Sequence, residues 1–384
     1  MAPTRAETGE TPRPPVPPQA SLRPSLPPPG TGRGRARQAG GYPGRTSAAP
    51  AFIARWDLDK TYLRTDFDTV RDLVRTAIER PDQKRTVPGA ATRMRELGRA
   101  DAEIHILSGS PEQLRSRLEQ KLRLDGARWA SLTLKPNLEN ILRLRFRALR
   151  GQLGYKLPSL LLRRCELRVQ HRESGELVPE VLLGDDAEAD AFVYSLYADV
   201  CAGVVSGATL AEVMRKGGCY EDTIADATRF AGYVEKGAVV RRILIHLDRQ
   251  SSPADFRIFG PRVVPFYNYL QAAFVLHEDG LLPAKSVLRV AQDLAFVHNF
   301  DSGALARSYL DLSRRGHVTG KGIPDLAAMY AEIARGRSAG VSEIGELTRE
   351  LTRMLPELTP PPHREVEPVD YVQMATGHNR RHKR

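Results

Sequence analysis

Short apolar runs alternate with stretches of helical spacing along the first half of the chain. Four of these runs have the length of buried strands. They are Ala51–Trp56, Glu103–Leu107, Trp129–Leu134 and Val181–Leu183. Strands that alternate with helices predict a parallel sheet, so the expected fold class is α/β with a Rossmann-like sheet.

The segments between these runs predict amphipathic helices. Apolar residues of 67–78 recur every three or four positions, as do those of 114–122. Pro88 and Pro158 each mark an expected helix start, because proline suits the first helical position. Lys156 is then expected where the second of these helices opens.

From about Ser206 onward, the pattern predicts helices only. Thr209-Leu-Ala-Glu212 has the form of a capping box, and Gly217 is expected to end that helix. Apolar residues of 230–247 fit one longer helix. Three histidines lie among apolar residues in such stretches, and we expect no metal there: His246, His277 and His298.

Composition divides the chain into four segments. Residues 1–50 contain twelve prolines and seven glycines, which predicts a disordered tail whose proline-rich runs can bind a partner domain. Residues 51–204 are expected to form the α/β domain, and residues 205–358 an all-helical domain or appendage. Residues 359–384 are expected to form a second disordered, basic tail.

The net charge of +11 is concentrated in the tails. Residues 1–50 carry a balance of +5 and residues 363–384 one of +2, which leaves +4 for the residues between them. A folded surface built for nucleic acid is usually more basic, so we expect no nucleic-acid partner. The three cysteines lack C-x-x-C spacing and no stretch is long and apolar enough to span a membrane, so we expect a cytoplasmic protein.

Polar residues follow three of the predicted strands. The segments at the strand ends are Asp57-Leu-Asp59-Lys-Thr61, Ser108-Gly109-Ser110, and Gly184-Asp185-Asp186 with Asp190 beyond. Ligands of parallel sheets bind beyond the carboxyl ends of the strands. Carboxylates that cluster there repel one another, and a hard cation such as Mg²⁺ relieves the repulsion and binds phosphate oxygens.

Such a set of groups supports phosphoryl transfer. A carboxylate neutralised by metal can attack phosphorus and form an aspartyl-phosphate. A second acid can protonate the leaving oxygen and later activate water. A hydroxyl and a lysine can hold the phosphoryl oxygens.

The motifs and their order resemble the haloacid dehalogenase superfamily of phosphohydrolases. Within it, the chain is similar to the phosphatidate phosphatase catalytic-domain family named from an actin-patch protein. The matching pieces are WDLDKT (56–61), VPGAA (87–91), HILSGSPEQL (105–114), GYKLPSLL (154–161) and GDDAEADAFVY (184–194). The resemblance covers roughly residues 50–203. It implies a Mg²⁺-dependent phosphomonoester hydrolase acting on phosphatidate, another phospholipid or a different phosphorylated substrate.

The resemblance also implies a role for each matching residue at the first two strand ends. Asp57 would be the nucleophile and a Mg²⁺ ligand. Asp59 would be the general acid and base, and would bind Mg²⁺ through its carbonyl, while Thr61 fixes the turn. The residues implied to bind the phosphoryl group are Ser108, Gly109, Ser110 and Lys156.

At the last strand, the resemblance implies a Mg²⁺ shell completed by Asp185, with Asp190 orienting it or its waters. Two assignments stay open on the sequence. Either Asp185 or Asp186 can be the direct ligand. Lys135 competes with Lys156 as the active-site lysine.

A basic ladder alternates with apolar residues between these motifs: Arg143, Arg145 and Arg147. It can hold an anionic headgroup or rest on an anionic membrane, which predicts peripheral membrane contact. The other interpretation is an amphipathic element whose arginine stems cover the core.

A second function stays open on the sequence alone. A catalytically degenerate member of the same fold would bind a phosphorylated ligand or scaffold partners. Intact Asp57 and Asp59 favour the enzyme, because loss of either usually marks a degenerate member.

Overall fold

The structure, a computed structural model, describes seven segments of the chain. They are residues 49–63, 85–135, 149–167, 170–187, 189–335, 342–358 and 367–381. The expected tail over residues 1–48, the expected helix over 67–78 and the basic ladder of Arg143, Arg145 and Arg147 lie outside the described residues.

Six strands form the centre of the molecule. They are β1 (Phe52–Trp56), β2 (Ala102–Pro111), β3 (Ser131–Lys135), β4 (Glu180–Asp185), β5 (Val240–His246) and β6 (Val263–Phe266). All neighbours pair in parallel, in the order β3-β2-β1-β4-β5-β6. The expected α/β class with a parallel sheet is confirmed, and the first four strands overlap the predicted apolar runs.

The strand order reverses between β1 and β4. The chain builds outward from β1 through β2 to β3, and then crosses to the other side of β1 to form β4. In open parallel sheets, the neighbours at such a reversal frame the crevice where ligands bind. The carboxyl ends of β1 and β4 are therefore the first place to search for a site.

The helices of the described residues connect these strands. They are α1 (Ala90–Arg99), α2 (Arg115–Leu124), α3 (Leu149–Cys165), α4 (Asp190–Ala202), α5 (Gly207–Lys216), α6 (Glu221–Tyr233), α7 (Tyr269–Glu278), α8 (Ala284–Gln292), α9 (Ser302–Arg314), α10 (Ile323–Arg335), α11 (Ser342–Met354) and α12 (Tyr371–Arg381). None of these helices has the length and apolar content needed to cross a membrane.

Helices cover both faces of the sheet. On one face, α1, α2 and α7 to α11 pack against sheet residues such as Trp56 and Ile104. On the other face, α3 to α6 and α12 pack against Leu182 and Ile243. Strands that are covered on both faces bury nearly all of their side chains, which is why their sequences are almost continuously apolar.

The expectation of helices alone after Ser206 is wrong. β5 and β6 belong to the same sheet, and β5 pairs with β4 along Glu180–Asp185. The apolar residues of 230–247 fit a helical period, but α6 ends at Tyr233 and the later ones form β5. A short strand buried on both faces cannot be told from a helix by periodicity alone. Residues on both sides of position 204 therefore build one sheet.

Three local expectations are also corrected. Ser206 caps α5, since its Oγ accepts from the backbone N–H of Thr209 at 3.1 Å, so Thr209 is not the capping residue. Lys156 and Pro158 lie inside α3, not at its start. The structure thus brings Lys156 to the sheet from the middle of a helix.

Part of the expected C-terminal tail is a helix. Tyr371 and Ala375 of α12 are buried, and the Tyr371 hydroxyl donates to the Asp199 carboxylate. The apolar side of this segment therefore packs against the molecule, which corrects the expectation of disorder for 371–381. Residues 359–366 and 382–384 lie outside the described residues.

Candidate active site

Carboxylates from β1, β4 and α4 meet where the strand order reverses. Asp57 follows β1, Asp185 ends β4 and Asp190 opens α4. One carboxylate oxygen from each lies within 4.8 Å of the other two, and all three residues are buried. We call Asp57, Asp185 and Asp190 the carboxylate cluster. The sequence predicted this grouping, because the carboxyl ends of parallel strands share one edge of the sheet.

Lys156 reaches the carboxylate cluster from α3. Its Nζ lies 3.5 Å from Asp57 Oδ1 and forms an ion pair with Asp190 Oδ1, and its side chain is fully buried. Lys135 ends β3, two strands away from β1, and its Nζ lies 5.2 Å from the centre of the Tyr155 ring. The structure therefore places Lys156 at the cluster, and Lys135 beside Tyr155.

The backbone of β4 leaves room for Asp190. A Cβ atom at Gly184 would lie 2.3 Å from Asp190 Oδ2, so this position requires glycine. The backbone N–H of Asp185 donates to the same oxygen at 3.2 Å. Asp185 Oδ1 accepts from the N–H of Ala187 at 2.6 Å. Backbone groups thus orient two of the three carboxylates.

Asp186 faces away from the carboxylate cluster. Its carboxylate accepts from the backbone N–H groups of Arg249 and Ser251, at 2.9 and 3.0 Å. Its own N–H donates to the carbonyl of His246 at 3.0 Å. Asp186 therefore holds the loop that follows β5, and Asp185 is the member of the pair that lies in the cluster.

Asp59 lies beside β2 and is held there by two hydroxyls. Ser108 Oγ donates to Asp59 Oδ2 at 2.9 Å, and Ser110 Oγ donates to the same oxygen at 3.1 Å. The backbone N–H of Ser110 donates in turn to Ser108 Oγ at 3.0 Å. Ser108, which was expected to contact a phosphoryl group, contacts the candidate acid in this structure.

The Ser108–Ser110 segment is buried and contacts Tyr155. A Cβ atom at Gly109 would have no heavy atom of the described residues within 4 Å. The Tyr155 hydroxyl donates to the carbonyl of Ser108 at 3.1 Å, and burial raises the pKa of that hydroxyl. A neutral tyrosine therefore braces this segment.

Two residues of the second half reach the turn that carries Asp59. Nδ1 of His246 lies 3.1 Å from the carbonyl oxygen of Lys60, and the Tyr269 hydroxyl donates to the carbonyl of Thr61. Sequence reasoning missed both. For His246 a signal existed: its apolar run, assigned as a strand, would have put it at the sheet edge beside Asp185, where it lies.

Among the residues that the structure describes, carboxylates outnumber cationic side chains at the site. Three carboxylates face one lysine in a buried setting, where like charges repel strongly. A divalent cation relieves such repulsion, and oxygen donors are the ligands that Mg²⁺ and Ca²⁺ prefer. The donor set therefore fits a hard divalent cation.

Comparisons of the chain with protein-family models, with curated proteins and with solved structures found no match. What the chain does is therefore inferred from its own residues and from the sheet that brings them together.

Proposed function

We propose that the chain is a Mg²⁺-dependent phosphomonoester hydrolase of the haloacid dehalogenase superfamily, with Asp57 as its nucleophile. The observation that carries the proposal is the meeting of the carboxylate cluster and Lys156 at the reversal of strand order. Asp59, two residues beyond Asp57, supplies the second acid that the chemistry needs. The motif order along the chain supports the same assignment.

The carboxylate cluster supplies the residues that would hold Mg²⁺. Asp57, Asp185 and Asp190 offer hard oxygen donors, and magnesium usually takes only one or two carboxylates together with waters and phosphate oxygens. When bound, the ion would offset the negative charge of the site and polarise the phosphoryl oxygens.

The first half-reaction transfers the phosphoryl group to the protein. A carboxylate oxygen of Asp57 attacks phosphorus, so the Asp57–phosphorus bond forms as the ester P–O bond breaks. Asp59 donates its proton to the leaving oxygen. Lys156, 3.5 Å from Asp57, offsets charge on the nucleophile and on the transferring group.

The second half-reaction releases phosphate. Asp59, now ionised, takes a proton from water as the water oxygen attacks phosphorus. The acyl phosphate bond breaks, and the Asp57 carboxylate is restored. Ser108 and Ser110 hold the Asp59 carboxylate in place for both proton transfers.

Phosphatidate or a related phospholipid is the substrate class to test first. The similarity of the motifs over residues 50–203 supports this choice.

The test is phosphate release by the purified 384-residue chain. We expect hydrolysis of an aryl phosphate and of phosphatidate in mixed micelles, with Mg²⁺ present, and loss of both in EDTA. Asp57→Asn is expected to remove turnover. The matched control is Asp101→Asn, an exposed aspartate at the opposite edge of the sheet, whose left-handed backbone asparagine tolerates well.

Two outcomes would count against the proposal. Near-normal turnover by Asp57→Asn would show that Asp57 is not the nucleophile. Full activity in EDTA would show that turnover needs no metal ion. Fast hydrolysis of small sugar phosphates with none of phosphatidate would instead change the substrate class and leave the phosphatase assignment intact.

A further inference from the structure

We propose that His246 and Tyr269 are positioning residues for the catalytic turn, the segment Asp57–Tyr62. Both residues lie beyond the motif-bearing part of the chain, on β5 and α7. Their effect on turnover rests on the proposed function. Their effect on the turn itself does not, because it follows from the contacts alone.

Backbone hydrogen bonds supply donors to only some of the carbonyl groups of the turn. The carbonyl of Leu58 accepts from the N–H groups of Tyr62 and Leu63, both at 2.9 Å, and the carbonyl of Asp59 accepts from Thr61 at 2.7 Å. The carbonyl of Tyr62 accepts from a neighbouring segment, from Val87 N–H at 2.9 Å. The carbonyls of Lys60 and Thr61, which directly follow Asp59, receive no donor from these backbone hydrogen bonds.

His246 and Tyr269 supply donors to those two carbonyls. His246 Nδ1 lies 3.1 Å from the oxygen of Lys60, and the Tyr269 hydroxyl donates to the oxygen of Thr61. Because a carbonyl only accepts, Nδ1 carries the proton in this pair. Buried carbonyls without donors are unfavourable, so both contacts stabilise this particular path of the turn.

The backbone of Lys60 needs such support. Its φ angle is 57°, in the left-handed region that residues with a Cβ atom enter rarely. A conformation of this kind persists where its surroundings fix it. The His246 contact is made to the carbonyl of this same residue, and thus acts at the least favourable point of the turn.

The two donors are held in place by ring packing. The His246 ring stacks on Tyr269 with centroids 5.8 Å apart, and Tyr269 stacks on Trp56 at 5.9 Å. Trp56 directly precedes Asp57, and His246 pairs in register with Asp185. A column of three rings therefore connects the catalytic turn to both central strands, with its polar atoms already aimed at the turn.

Loss of either donor is expected to affect turnover more than substrate binding. Asp59 must stay within reach of the leaving oxygen in the transition state, and small misplacements of a catalytic group cost rate steeply. We expect His246→Phe and Tyr269→Phe, which keep the rings, to lower kcat by roughly 10- to 100-fold with little change in KM.

A conservative variant separates positioning from packing. His246→Asn loses the ring but keeps an amide donor near the place of Nδ1, so it should retain more kcat than His246→Phe. A role in packing alone predicts the opposite order. Tyr309→Phe is the matched control, since Tyr309 is a buried tyrosine of the same half whose hydroxyl donates to Glu278, away from the turn.

Amide hydrogen exchange tests the turn without any substrate. The N–H groups of Thr61, Tyr62 and Leu63 are all hydrogen-bonded within the turn, so they report its opening. We expect faster exchange there in His246→Phe and Tyr269→Phe, and unchanged exchange in Tyr309→Phe.

The outcomes separate the two proposals. If the wild-type chain hydrolyses no phosphomonoester, the proposed function fails and the exchange measurement alone decides the positioning role. Unchanged exchange over residues 61–63 in both ring-preserving variants would overturn that role, as would a kcat for His246→Phe above that of His246→Asn.

Discussion

Two buried groups of charges lie on β1 and β4, and their charges balance differently. One is the carboxylate cluster with Lys156. The other surrounds Glu180, whose carboxylate accepts from Arg55 at 2.6 and 2.9 Å, from Arg164 at 2.9 Å and from the Tyr197 hydroxyl at 2.9 Å. We call Glu180, Arg55, Arg164 and Tyr197 the Glu180 cluster.

The Glu180 carboxylate accepts all of these hydrogen bonds from side chains within the protein. Burial raises the pKa of Glu180, but the charges of Arg55 and Arg164 outweigh burial and bring it to about 2. The carboxylate cluster has equal burial, but among the described residues three carboxylates face one lysine. Burial of charge is thus common to both places, and the excess of carboxylates distinguishes the candidate site from the Glu180 cluster, where two arginines face one carboxylate.

After the loss of turnover in Asp57→Asn, the largest effect on rate is expected at Asp59. Asp59→Asn removes the group that moves protons, and loss of such a group usually lowers the rate by about 10²- to 10⁴-fold. Because water activation depends on the same residue, phosphorylated Asp57 should accumulate, detectable as an added phosphoryl mass on the intact protein. Glu180→Gln, corrected for its folded fraction, should show no such loss.

Glu180→Gln is expected to have the largest effect on stability. It leaves two buried arginines without their carboxylate, and breaking a buried ion pair usually costs about 3–5 kcal/mol. Urea unfolding at pH 7 measures the loss. The control is Glu176→Gln, an exposed glutamate of the preceding loop, for which a change within about 0.5 kcal/mol is expected.

Glu180→Gln should also change how the free energy of unfolding depends on pH in acid. The pKa of Glu180 falls from its ordinary value of 4.5 to about 2 in the folded protein. Its contribution is therefore fully present above pH 4.5 and is lost as the pH falls toward 2. The wild type should lose stability relative to Glu180→Gln across this interval. Parallel curves for the two proteins would contradict the assigned ion pairs.

Mg²⁺ should stabilise the folded protein through the carboxylate cluster and not through the Glu180 cluster. With free Mg²⁺ at 100 times its Kd, the folded protein gains about 2.7 kcal/mol, measurable as a rise in Tm. Asp185→Asn should remove most of the rise, while Asp186→Asn, whose carboxylate holds the loop after β5, should keep it. An equal Mg²⁺ response in both variants would contradict the placement of Asp185 as ligand.

The smallest change in the free energy of unfolding is expected at a charged residue that belongs to neither cluster. Arg93 of α1 is fully buried, its Nη1 lies 3.5 Å from the carbonyl of Tyr269, and its Nε and Nη2 have no hydrogen-bond partner among the described residues. Burial lowers the pKa of this guanidinium. Arg93→Met should therefore raise stability, by about 1 kcal/mol.

Arg55→Met is the matched control for Arg93. Arg55 is buried to the same degree but is paired with Glu180 through Nε and Nη2, so its loss should lower stability. If both substitutions lowered the unfolding free energy equally, pairing would not be what distinguishes the two arginines.

Much of the site could be predicted from the sequence because its residues follow strands. Asp57, Asp185 and Ser108 each lie at the carboxyl end of a strand, and parallel strands bring those ends together. The choice between Asp185 and Asp186 was beyond the sequence. Adjacent residues of a strand point in opposite directions, and only the position of the β5 loop decides which carboxylate it binds.

The second half was less predictable for physical reasons. The apolar residues of β5 satisfy a helical and an extended pattern equally, and the burial of both faces removes the alternation that marks a strand. His246 and Tyr269 act on backbone carbonyls of Lys60 and Thr61, far away in sequence. A carbonyl is present at every residue, so such contacts leave no trace in side-chain motifs.

The pairing of β4 with β5 has a consequence for how this protein can be divided. A fragment that stopped at residue 204 would contain all the motif residues, yet β4 would become an outer strand with a bare row of backbone donors and acceptors. Such rows recruit strands from other molecules. A nascent chain passes through this same state until Val240–His246 has been synthesised. Self-association during synthesis, and of any shortened fragment, is therefore a hazard built into the order of the strands.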